Sequence, residues 1–335
     1  MLIDQCKALL FIGAVIGLVG CTEQPEQKPD NNQPVKKITQ EQKTSNNQLD
    51  GTLESKQKHA AFEQEQVVYV DSLDELYALF KKHRYTNEEW QSGHREVPPF
   101  TFERVNETWQ HSSSSLPVAI KKEVFFRLMA PLVLLANEEV LALRELVINN
   151  QITEADYRAL LIKYRVISKS FDSTLTKTHK QTLLKRLDIV PPSLALAQAA
   201  EESGWATSRF TLEGNAFFGQ WDYSGRGMKP KAQRKELGNY GIARFDSPLD
   251  SVRGYLLNLN RGSAYQKLRN KRLELREQGQ LISGLELVTT LDKYSERGQA
   301  YIDSISSMIR YNKLMTIDEA SLATGPTITI KSHQQ

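Results

Sequence analysis

Residues 191–210 read PPSLALAQAAEESGWATSRF. Two prolines are tolerated at a helix start. Leu194 to Glu202 are strong helix formers, and Gly204 offers a C-terminal stop. Glu202 therefore falls in the last turn, where the negative end of the helix dipole disfavours a charged carboxylate. Burial against Trp205 would act in the same direction. Both effects raise a carboxyl pKa toward the range that a general acid needs near neutral pH. Glu201 lies about 100° round the helix and cannot share that role. Ala195, Gln198 and Ala199 occupy the face behind Glu202, and the small residues let a neighbouring backbone approach. Taken alone, a Glu-Glu pair at a helix end also fits plain solvent-facing charge.

Working outward, the whole chain has 335 residues, enough for one large or two modest domains. Its 40% hydrophobic and 25% charged residues are ordinary for a soluble globular protein. A net charge of +3 is far from that of a dedicated nucleic-acid binder, and no nucleic-acid partner is expected. The two cysteines, Cys6 and Cys21, both lie near the N-terminus, so no disulfide framework is available to the rest. The six histidines are scattered without metal-ligand spacing. No metal or cofactor is expected, and a monomer is.

Residues 8–20, ALLFIGAVIGLVG, form an apolar run too short to span a bilayer comfortably but suited to a signal-peptide core. The run leads into Leu18-Val19-Gly20-Cys21, which resembles the bacterial lipobox. That resemblance implies removal of residues 1–20 and lipidation of Cys21, whose several acyl chains give a stable membrane anchor. Thr22, rather than Asp, follows, and implies sorting to the outer membrane, facing the periplasm. Residues 21–61 are rich in Gln, Asn, Lys, Glu and Pro and are expected to form a disordered tether.

From residue 62 the pattern becomes globular. VVYV reads as a short β-like run, and Leu73, Leu76, Tyr77 and Phe80 keep a helical period after a cap at Asp71 or Ser72. Pro117 opens a long helical stretch with a break near Asn137, and another helix covers 154–166. Residues 62–182 are thus expected to be a helical accessory region whose aliphatic stripes are core. Residues 183–318 are expected to be a catalytic domain, and 319–335 a flexible tail.

AQAAEESGWATSRF (197–210), followed by GNAFFGQW (214–221), resembles the glucosaminidase family of peptidoglycan hydrolases, nearest to its Bax-type members. The family motif runs Ala-Gln-Ala-x-x-Glu-Ser/Thr-Gly-Trp, so the resemblance implies that Glu202 is the catalytic acid. It also draws attention to Gln198, Trp205, Asn215 and Phe218 as substrate-binding positions. The common family form has Gly after the Trp, whereas this chain has Ala206. The likeness runs on through YGIARFDSPLDSVRGYLLNLNRGSAYQKLR (240–269) to Tyr265, a candidate to position an acetamido group or a water, and through Tyr294 to Tyr301.

Glycoside hydrolysis normally uses a second carboxylate, although a 2-acetamido sugar can supply its own nucleophile. Related enzymes carry that second acid on a mobile hairpin. Here QRKELGNYGIARF reads as a hairpin turning near Leu237-Gly238-Asn239, with Glu236 the candidate and Asp222 the runner-up. Arg226, Lys229, Lys231, Arg234 and Lys235 make the hairpin cationic, suited to anionic groups of a cell-wall polymer or simply solvated. Trp205, Trp221, Phe217, Phe218 and Tyr240 are candidate stacking surfaces for sugar rings, and Tyr294 a candidate substrate-binding residue; aromatics are as often core.

The expected fold is mainly α (α+β): lysozyme-like, with a small β-hairpin beside the groove. The implied activity is that of an endo-β-N-acetylglucosaminidase, cleaving the β-1,4 bond after N-acetylglucosamine in peptidoglycan glycan strands. Muramidases and lytic transglycosylases of similar fold, and a non-catalytic wall-binding lipoprotein, stay open as alternatives.

Overall fold

In the computed structural model, residues 65–333 are described, apart from 107–108, 110–111, 223 and 231–240. The expected signal peptide, Cys21 and the tether lie outside the described residues. So do Glu236, Tyr240 and the expected hairpin turn.

The architecture is mainly helical with small sheets, as the sequence reading expects. Strand β1 (Glu65–Tyr69) is followed by helices α1 (Leu73–Lys82) and α2 (Asn87–Gln91) and the short strands β2 (Glu96–Val97) and β3 (Phe100–Phe102). Ser72 caps α1 by accepting from the Glu75 N–H. Then comes the long helix α3 (Val118–Ile148). Its middle, Met129 to Asn137, is buried all round, which makes it the central post of the molecule.

The break expected near Asn137 does not occur. Asn137 faces the Asp188–Pro191 segment instead. Its Nδ2 donates to the Val190 carbonyl at 2.8 Å, and its Oδ1 accepts from the Val190 N–H at 3.0 Å. A polar residue in mid-helix thus satisfies both backbone groups of a buried residue that no helix or strand would pair.

Helices α4 (Glu154–Lys163) and α5 (Lys177–Arg186) lead to α6 (Pro192–Ser203), which carries Glu202, and to the short α7 (Arg209–Gly214). Strands β4 (Trp221–Asp222) and β5 (Gly241–Ile242) pair antiparallel, followed by α8 (Pro248–Arg261), α9 (Gln266–Glu277), α10 (Gly284–Val288) and α11 (Gln299–Tyr311). One hydrophobic core takes in α3 and α6 together with α8 and α11, running continuously across residue 182. Arg253 of α8 grips Glu139 of α3 through two contacts of 2.5 and 2.8 Å, pinning those helices together.

Residues 319–335, expected as a flexible tail, instead contain β6 (Ser321–Leu322) and β7 (Thr327–Lys331). β7 is the central strand of a parallel sheet in the order β1-β7-β3, with Val67 opposite Thr329 and Phe100 opposite Ile328. The alternation in TITIK suits a strand. Its partners lie over two hundred residues away, so the pairing is invisible locally.

The entrance to α6 is held by two buried devices. Asp318 accepts from the Ser193 N–H (2.8 Å), the Ser193 hydroxyl (2.7 Å) and the Gly284 N–H (2.9 Å), capping the starts of α6 and α10 with one carboxylate. The two helices meet backbone to backbone: a Cβ on Gly284 would stand 2.1 Å from the Ser193 hydroxyl. The fully buried Arg272 collects the carbonyls of Asp188 and Ile189 and the side-chain oxygen of Asn260. Arg276 holds the Asp188 carboxylate through two contacts.

Candidate active site

Helix α6 ends as its sequence dictates, but the stop extends beyond one glycine. Gly204, Trp205 and Ala206 have φ of 58°, 61° and 63°, three successive left-handed residues. For the two with side chains this costs about 1–2 kcal/mol each. The turn is closed from outside: the Ser203 hydroxyl accepts from the Ala206 N–H at 2.9 Å, and the Trp109 indole N–H donates to the Trp205 carbonyl at 3.2 Å. The effect is to hold the last turn, and Glu202 on it, in one position.

Glu202 stands at the end of a directed hydrogen-bond chain. The Tyr255 hydroxyl donates to Gln198 Oε1 at 2.6 Å. Gln198 Nε2 donates to the Tyr301 hydroxyl at 2.9 Å, and Tyr301 donates to Glu202 Oε1 at 2.9 Å. An amide nitrogen can only donate, so the Tyr301 oxygen accepts from Gln198 and turns its own proton to Glu202. With Oε1 occupied as an acceptor, the acidic proton of Glu202 belongs on Oε2. Beside that oxygen runs the backbone of Gly219, whose absent Cβ would stand 3.5 Å away.

Burial raises the Glu202 carboxyl above its ordinary range, opposed by the Tyr301 bond, raised again by Glu201 and opposed by Arg297. Glu201 is itself tied to Arg297 at 2.9 Å, and that guanidinium lies over the Tyr301 ring. Tyr294 stacks on Tyr301 with centroids 5.3 Å apart, and Tyr265 meets Tyr294 at 6.0 Å. Burial pushes the hydroxyls of both up, so they stay protonated donors at any working pH. The arrangement sets a carboxyl of raised pKa among neutral phenols, suited to giving one proton to an oxygen.

Comparison with known proteins fits this geometry. The Glucosaminidase family model, described as mannosyl-glycoprotein endo-beta-N-acetylglucosaminidase, matches residues 177–314, the span from the start of α5 to just beyond α11. Protein bax of Escherichia coli (strain K12) is 30% identical over 212 residues, which cover 60% of this chain and 76% of that protein. The chain belongs to the glucosaminidase family. No solved structure matches it. Family membership places it among the glycosidases, hydrolases that act on glycans.

Within this glucosaminidase fold the candidate residues separate by position. Glu202, Tyr265 and Tyr294 come together. Gln198 is fully buried behind Tyr301 and reaches Glu202 through the Tyr301 hydroxyl. Phe218 is buried and stacked on Tyr255 at 4.0 Å, supporting the same relay. Asn215 caps α7 in the left-handed region, and its Nδ2 lies 3.2–3.3 Å from the carbonyls of Glu103, Phe245 and Asp246. It braces the loop that carries Gly219. Trp205 packs edge-on against Phe125 and Phe126 of α3, with Lys122 over its ring.

Trp221 is 49% exposed on β4. Asp222, the runner-up second acid, accepts from the N–H and hydroxyl of Ser224, which hold its carboxyl below the usual range as a charged group. Tyr301, Tyr255 and Gly219 escape the sequence reading. Tyr301 closes the stretch from Tyr294 over which the likeness runs, and carries that much signal. Tyr255 sits on the apolar stripe of α8 and reads as core.

Proposed function

We propose that this chain hydrolyses peptidoglycan glycan strands at the β-1,4 bond after N-acetylglucosamine, with Glu202 as the general acid. The observation that carries the reading is the half-buried Glu202 carboxyl, its pKa raised by burial, with Oε1 occupied by Tyr301 and Oε2 left to carry the proton. Oε2 protonates the glycosidic oxygen as the bond to the anomeric carbon breaks. Among the described residues, the charged groups that act on Glu202 are Glu201 and Arg297, and Glu201 is paired with Arg297. In this reading the 2-acetamido group of the substrate takes the second role, forming a cyclic intermediate that water opens. Tyr265 is placed to orient that group. Glu236 is the candidate to activate the water.

The same proposal places the protein on the periplasmic face of the envelope, anchored at Cys21, with the tether giving the site its reach to the wall. The test digests purified peptidoglycan with the full chain in detergent, beside Glu202→Gln. Borohydride reduction and mass spectrometry then identify the new ends. Reduced N-acetylglucosamine ends, lost in the variant, are the expected result. Anhydro or reduced muramic ends would replace the bond specificity with that of a transglycosylase or muramidase. No new ends would leave a wall-binding lipoprotein.

A further inference from the structure

A cavity of about 520 Å³ lies between the first turns of α3, the 85–90 segment and the segment that follows α11. Neither Glu202 nor any of its tyrosines lines it. One wall comes from residues 85–130, outside the span that matches the family.

Its chemistry is uneven in a telling way. The Glu123–Arg127 pair on one side is internally neutral: Arg127 Nε meets Glu123 at 3.1 Å, and the rest of the guanidinium is spent on the Tyr85 carbonyl and Asn87. Two further cations, Lys122 and Lys313, line the cavity, and among the described residues neither has a carboxylate partner. The Lys122 ammonium gives one hydrogen bond, to Asn312 Oδ1 at 3.2 Å, and rests over the Tyr311 ring at 4.7 Å. Tyr311 is 80% exposed, so its ring is open to a ligand at the mouth of the cavity. Trp90 and Phe126 complete the aromatic lining. Two ammonium groups with no carboxylate partner among the described residues, beside a flat exposed ring, suit a ligand with a carboxylate and an apolar sugar face.

We propose that this cavity is a second glycan-binding site that takes a carboxylate-bearing sugar of the polymer. The assignment of the sugar rests on the peptidoglycan reading above, in which every second residue carries a lactyl carboxylate. The Lys122 ammonium also lies 5.3 Å from the ring of Trp205, which follows Glu202 by three residues in the sequence but packs on α3. The cavity would hold a strand while the acid cuts elsewhere along it, or hold a neighbouring strand.

The test measures binding calorimetrically, on the full chain carrying Glu202→Gln so that nothing is cleaved. The probes are the N-acetylglucosamine–N-acetylmuramic acid disaccharide, with its carboxylate free, and neutral chitobiose. Tyr311→Ala with Lys313→Asn removes the exposed ring and one charge, and asparagine tolerates the left-handed backbone at 313 (φ 55°). The expected result is about a tenfold weaker Kd for the acidic disaccharide and a smaller loss for chitobiose, which the ring but not the charge would hold. Lys122→Met, which keeps the side-chain stem, should give the same loss, and thermal unfolding checks that each variant is folded. Equal affinity in all the variants, or no binding of the acidic disaccharide at all, would overturn the site while leaving the cleavage reading intact. A charge-dependent loss in a protein whose native form cuts no glycan would do the reverse.

Discussion

The hydroxyl of Tyr301 donates to Oε1 of Glu202 across 2.9 Å, although the two residues are 99 apart in sequence. This contact decides which carboxyl oxygen is the acid and opposes the rise in its pKa. Tyr301→Phe removes the donor and keeps the ring. The carboxyl then climbs further, and the alkaline limb of the pH–rate profile moves to higher pH, because that limb marks loss of the acidic proton. The rate at the optimum should fall about 10- to 100-fold, since the acid loses its orientation. A profile that drops without moving would show that the contact does not set the acidity.

Gln198 gives a sharper test of positioning against substrate contact. Its amide is buried, with Tyr255 on one end and Tyr301 on the other. Gln198→Leu leaves both hydroxyls short of a partner, at a cost of about 1–3 kcal/mol of stability. Steady-state kinetics on a soluble glycan fragment should show a fall in kcat with KM nearly unchanged. A rise in KM alone would return Gln198 to the substrate contacts.

What the sequence reveals here follows the distance between interacting residues. The helix 192–203 and the place of Glu202 at its end are local matters of propensity and a stop signal, and both are legible. The relay behind Glu202 is not. Tyr255 and Tyr301 arrive from helices 57 and 103 residues beyond Gln198, and each reads on its own helix as an ordinary core aromatic. Asn137 looks like a helix break because its use, pairing with Val190, is 53 residues away. Trp205 illustrates a different failure. The sequence puts it beside the acid, but three left-handed residues turn the chain, and its ring packs on α3.

That turn predicts a stabilising substitution. Ala206 has φ of 63°, where an alanine is strained and a glycine is not. The glycine common at this position in the family now has a physical reason. Ala206→Gly relieves about 1–2 kcal/mol of backbone strain and gives up about 0.8 kcal/mol of buried methyl. The balance is a gain of up to about 1 kcal/mol, to be read as a rise in the urea midpoint at unchanged m-value. A clear loss of stability would mean that the packing of the methyl outweighs the backbone.

Asp318 should make stability fall as pH rises. Burial lifts its carboxyl to about 6 despite three donors. The folded state therefore binds this proton more tightly than the unfolded chain does. The resulting stabilisation is complete below the unfolded pKa, near 4, and is lost as pH climbs to about 6. A shift of about two units corresponds to about 3 kcal/mol at most. Burial also raises the Glu202 carboxyl and so adds a dependence of the same sign, and the comparison with Asp318→Asn isolates the part due to Asp318. Asparagine keeps an oxygen for part of the cap and has no proton to lose. Urea unfolding at pH 4, 5, 6 and 7 should show the gap between native protein and variant moving in the variant's favour between pH 4 and 6, then levelling off. A constant gap would mean that the three donors of Ser193 and Gly284 keep Asp318 charged throughout, and that the helix starts, not burial, govern its acidity.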